Sequence, residues 1–196
     1  MQKFLATTLI AGAALLSALP SLAQEAVSPP PAPNTRLSPH ETISAYCGGN
    51  RRTGKLVTIT YGRPYSAKGG KGEARKIWGG LVKWDTPERL GSDEATLLVT
   101  PSDLQIGETT IPAGAYTLYI VASENGTSQL AFSRNIGKWG IPVDDKHDVA
   151  RVNLKKDKLA PQVDQLTLAL EGTPTGGILR IAWETTEYSV AFDVKK

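Results

Sequence analysis

The chain has 196 residues, 22 basic against 19 acidic, two histidines, one cysteine and a formal net charge of +3. So small an excess, with no stripe of Lys and Arg, argues against nucleic acid as a partner, because neutralising a phosphate backbone needs clustered cations. A single cysteine excludes an intramolecular disulfide, and no paired-histidine zinc motif, G-x-S-x-G elbow or complete phosphate loop narrows the function.

Lys3 precedes an apolar run from Phe4 to Leu19, and Pro20-Ser21-Leu22-Ala23 then offers small residues where a signal peptidase needs them. This pattern predicts a secretory signal over residues 1–23 and a periplasmic or secreted mature protein. The run is shorter than the roughly 20 residues of a spanning helix, so no stable membrane anchor is expected after cleavage. Gln24 to Asn34 reads QEAVSPPPAPN, a proline density that suits an extended spacer over residues 24–35. A single β-rich domain is expected over residues 36–196.

In that domain Ala45-Tyr46-Cys47 runs into Gly48-Gly49, a strand giving way to a turn, with Cys47 a partly buried spectator thiol rather than a nucleophile. Leu56 to Tyr61 places Val57, Ile59 and Tyr61 on one face, a period of two that a helix would scramble. Gly69 to Gly72 is read as a hairpin tip, and Thr86 to Leu90 as a helical turn with Pro87 at its first position. Strands are expected over Ala95–Thr100, Ala115–Ala122 and Ser128–Ser133, the last following the hairpin signal Asn125-Gly126. Ile106 to Ile120 writes strand, turn and strand, punctuated by Pro112 and Gly114. Val149–Leu154, Asp164–Leu170, Ile178–Trp183 and Tyr188–Val194 complete the set, with a second helical turn expected over Asp157–Pro161. The pattern predicts an all-β fold, an antiparallel β-sandwich or flattened barrel of about eight to ten short strands.

Ser38-Pro39-His40, Ile59-Thr60-Tyr61-Gly62-Arg63-Pro64, Arg75-Lys76-Ile77-Trp78-Gly79, Glu94-Ala95-Thr96, Ile111-Pro112-Ala113-Gly114-Ala115-Tyr116, Trp139-Gly140 and Trp183-Glu184 occur in this order. Together they resemble the bacterial exported family known as domain of unknown function 2911, over about Ser38 to Val194. The resemblance implies a compact, β-rich, exported domain and no defined activity. It also marks Arg89, Gly91 and Glu94 as residues the family keeps, while Glu88 stands where a tryptophan is expected and Asp93 where asparagine is common.

Arg63, Arg89 and Glu94 sit at strand ends or turns, and arginine offers a planar fork for carboxylate or phosphate that a neighbouring carboxylate can orient. The competing reading is a structural Arg-Glu pair tying the segment 79–91 to the sheet. His40 is a candidate base, and Trp139 with Trp78, Trp84 and Tyr65 a candidate platform for flat ligands. The acidic turn Asp144-Asp145-Lys146-His147-Asp148 lacks the spacing of a calcium loop, and neither a metal nor a cofactor is expected. The leading expectation is an exported domain that binds a small molecule or an envelope component through His40, Arg63, Arg89, Glu94 and Trp139. The alternatives are an extracytoplasmic hydrolase using Glu94 and His40, and a structural or accessory envelope module.

Overall fold

The computed structural model describes residues 38–195. The signal at 1–23 and the spacer at 24–35 lie outside the described residues. Two antiparallel sheets stack into a sandwich that does not close into a barrel. The first sheet is built from β1 (His40–Cys47), β2 (Lys55–Gly62), β3 (Pro87–Arg89), β4 (Thr96–Thr100), β7 (Gly114–Val121), β8 (Gln129–Ser133) and β9 (Asp148–Asn153). Its order is β1-β2-β4-β7-β8-β9, with β3 pairing β7 beyond the end of β4. The second sheet has the order β10-β11-β5-β6, where β5 is Leu104–Ile106, β6 Thr109–Ile111, β10 Lys155–Gly172 and β11 Gly176–Val194.

Alternation along the strands decides what faces the core. Val57, Ile59 and Tyr61 of β2 are buried between the sheets, as are Tyr116, Leu118 and Ile120 of β7. They meet Leu166, Leu168, Leu179, Ile181 and Trp183 of the second sheet. Trp78 fills the end of this layer, edge-on to Trp183 and Tyr188 with centroids 6.4 Å and 5.0 Å away, and its indole N–H donates to the Trp183 carbonyl. Burying apolar surface on this scale is the main force holding the sheets together.

Two expectations fail for one reason: sheet pairing overrides local turn preference. Thr86 to Leu90 is not a helical turn, because Pro87, Glu88 and Arg89 pair with Val121, Ile120 and Tyr119. Asp157 to Pro161 is not one either, since Lys155 to Lys158 pair with β11 and the chain continues as β10. The segments Ile178–Trp183 and Tyr188–Val194 are one 19-residue strand, irregular at Glu184, whose φ of 53° lies in the left-handed region. Ile111-Pro112-Ala113-Gly114 does separate two strands, but β6 and β7 belong to different sheets, so the turn carries the chain across the sandwich.

Candidate functional site

Strand parity sorts the candidate residues. On β1, His40 falls in the outward set with Thr42, Ser44 and Tyr46, whereas Glu41 falls in the inward set that ends at buried Cys47. Arg63 follows Tyr61 by two residues and shares its inward face. Its guanidinium lies 3.3 Å from Glu41 Oε2 and donates to the Leu166 carbonyl at 3.2 Å and to Thr167 Oγ1 at 2.9 Å. Tyr61 donates to the same Glu41 at 2.7 Å, and burial, then that bond, pushes its phenol up to about 12. Arg63 therefore clips β1 and β2 to β10, apart from the other candidates.

Arg89 points the other way. It pairs with Tyr119 across the β3–β7 ladder, and paired residues share a face, so both sit on the outer side of the first sheet. Its Nε donates to the Gly91 carbonyl at 3.3 Å, and Nη1 donates to the carbonyls of Asp93 and, at 2.7 Å, Trp139. The Trp139 ring lies over the guanidinium, 5.2 Å to the centroid, while remaining 56% exposed. Burial pulls the arginine down from its ordinary value, against the attraction of Asp93 and Glu94, and it stays cationic. Arg89 thus ties the 91–93 turn to the 134–144 loop, a structural role made through carbonyls rather than through a carboxylate partner.

That loop arches over the outer face of β7 and β8 and encloses a cavity of about 320 Å³. Thr117, Tyr119 and Ser133 form its floor, Arg89 and Lys138 supply positive charge, Trp139 and Ile141 form the roof, and Asp144 lies at the rim. The floor is fixed. Thr117 Oγ1 donates to the Asn135 carbonyl at 2.9 Å, Ser133 Oγ accepts from Asn135 N at 3.3 Å, and Tyr119 is held by Asp148 and Arg151.

His40 and Glu94 do not line this cavity; they meet each other beside it. The His40 Nε2 is 3.0 Å from Glu94 Oε2 and 3.9 Å from Asp93 Oδ2. The structure therefore brings His40 to Glu94, and Arg89 to Trp139 and to the turn before Glu94, while Arg63 serves the opposite face. The aromatic set is dispersed: Trp78 is core, Trp84 carries the Lys156 ammonium 5.2 Å from its centroid, and Tyr65 borders another cavity. No group of three or more metal-ligating side chains occurs among the described residues. Thr117, Ser133 and Lys138 were not legible as site residues, since hydroxyls alternating with apolar residues read as a solvent face.

A family model described as a protein of unknown function, DUF2911, matches residues 38–192. No curated protein and no solved structure matches the chain.

Proposed function

We propose a binding role for this chain, which belongs to the DUF2911 family. It acts as an exported β-sandwich that holds a small molecule, or a small piece of an envelope component, in the cavity under the 134–144 loop. The observation that carries this reading is the exposed Trp139 ring set on the half-buried Arg89 guanidinium at the mouth of that cavity. A large ring left in water serves a contact better than it serves folding. With Arg89 and Lys138 against a single rim carboxylate, Asp144, the lining suits a ligand that joins an anionic group to a flat or apolar face.

Benzoate, phenyl phosphate and the neutral analogue benzamide are suitable first probes in calorimetry with the mature protein. The anions should bind more tightly than benzamide, and Trp139→Ala and Lys138→Ala should each weaken them by about tenfold, roughly 1.4 kcal/mol. Equal, unsaturable responses to all three, unchanged in both variants, would remove the basis for the reading.

The hydrolase reading gains one observation, the His40–Glu94 contact, and loses on geometry. With Glu94 ionised and accepting, Nε2 carries the proton, which leaves Nδ1 as the basic nitrogen of neutral His40. Nδ1 is buried without a hydrogen-bond partner among the described residues, whereas a general base must reach the proton it takes. The pair is better suited to fixing the 91–94 turn against β1.

A further inference from the structure

A second cavity, about 310 Å³, lies at the end of the sandwich, between the inner side of β3, the chain from Pro64 to Arg75 and Trp183 of β11. It borders the first through Arg89 and Ile141. The alternation of β3 separates their chemistry: Arg89 pairs with outward Tyr119, and Glu88 pairs with inward Ile120.

Two polar atoms on residues of its wall are buried without a hydrogen-bond partner among the described residues, Trp183 Nε1 and Ser92 Oγ. Trp183 is 3% exposed, and a buried indole N–H in a folded protein nearly always donates to something. Lys68 and Arg75 bring positive charge to the same wall. Arg75 gives Nε and Nη2 to the carbonyls of Ser66 and Tyr65, so its position is fixed while Nη1 stays available. Glu88 is the one carboxylate of the lining. Its side chain is 21% exposed, and its ion partner Lys83 stands 4.0 Å away. Leu81, Val82 and Ile141 supply apolar wall.

We propose that this cavity binds a small zwitterion of the amino-acid type, its carboxylate toward Lys68 and Arg75, its ammonium toward Glu88, with Trp183 in the wall beside it. A ligand with only negative charge meets the Glu88 carboxylate, and a ligand with only positive charge meets two or three cations. A molecule carrying both groups a few ångströms apart satisfies each side of the lining.

The test uses the mature protein with free glycine, L-alanine and L-leucine, against lactate, which lacks the ammonium, and ethanolamine, which lacks the carboxylate. Affinity is read by calorimetry and the site by the indole N–H resonance of Trp183. At least one amino acid should bind saturably and shift Trp183 while leaving Trp139 in place, with lactate and ethanolamine weaker by about tenfold or more. Glu88→Gln should reduce amino-acid affinity by a similar factor and tighten lactate, which no longer meets a carboxylate there. Lys68→Ala, which keeps the backbone hydrogen bonds of this exposed turn, should weaken both amino acid and lactate. Lactate equal to the amino acids, affinity indifferent to both variants, or no shift of Trp183 with any of these compounds would overturn the proposal. A response at Trp139 instead of Trp183 would count against this cavity and for the one proposed above.

Discussion

Arg63 is anchored on Leu166 and Thr167 and paired with Glu41, so removing it takes the side-chain donor from the Leu166 carbonyl and leaves Glu41 with Tyr61. Arg63→Ala should cost about 2 to 3 kcal/mol, a value held down by the partial exposure of both partners. Thermal unfolding should show a midpoint lower by roughly 5 to 10 °C, with binding at the Arg89 cavity unchanged in the folded protein. The inward position of Arg63 was legible: Val57, Ile59 and Tyr61 define a buried face, and one more step of two reaches residue 63. What was not legible is its partner, because Glu41 reaches it only through the β1–β2 register, which pairs Glu41 with Tyr61.

Cys47 is fully buried, and burial pushes its thiol up from 9.0 to about 11. The folded state thus favours the neutral thiol. Because the folded value lies above the unfolded one, this contribution is complete below about pH 9 and is lost as pH rises through about 11. Tyr61, raised to about 12, acts in the same direction at slightly higher pH. Denaturant midpoints measured against pH should therefore be insensitive to Cys47 near neutrality and fall above about pH 9. Cys47→Ala should flatten the part of the fall between about pH 9 and 11. The native thiol should also resist alkylation at pH 8, which an accessible nucleophile would not.

At the scale of elements, the turn from Gly91 to Glu94 links the first sheet to the cavity loop, and it rests on Gly62. The amide of Ser92 donates to the Gly62 carbonyl at 3.3 Å, and a Cβ on residue 62 would meet the Ser92 carbonyl oxygen at 2.2 Å. Gly62→Ala should force the turn off β2 and cost about 1 to 3 kcal/mol. It should also weaken binding at Arg89, since that side chain is fixed by the carbonyls of Gly91 and Asp93. Strong local patterns such as Leu56–Tyr61 and Ala115–Ala122 named their strands from sequence alone. Pro87–Arg89 and Lys155–Lys158 did not, because their strand state comes from partners 28 to 34 residues away along the chain.

At the scale of the molecule, the sandwich places two cavities on either side of β3, and the chain positions that line them are scattered from Ser38 to Trp183. His40, Arg89, Glu94 and Trp139 were visible as candidates because charge, imidazole or a large ring at a turn needs a reason. The floor hydroxyls of Thr117 and Ser133 and the indole of Trp183 were not, since strand residues acquire a cavity only when the loop 134–144 and the second sheet close over them. Export belongs to the same scale: mass spectrometry of the protein from its native host should place the mature N-terminus at or near Gln24.

The indole N–H resonance of Trp139, followed through a titration with benzoate, reports on occupancy of the cavity it covers. Binding under the 134–144 loop predicts a saturable shift of Trp139, lost in Lys138→Ala, with the core indole of Trp78 unmoved. A Trp139 signal that stays in place at saturating benzoate and phenyl phosphate, or that moves linearly together with Trp78, would contradict it.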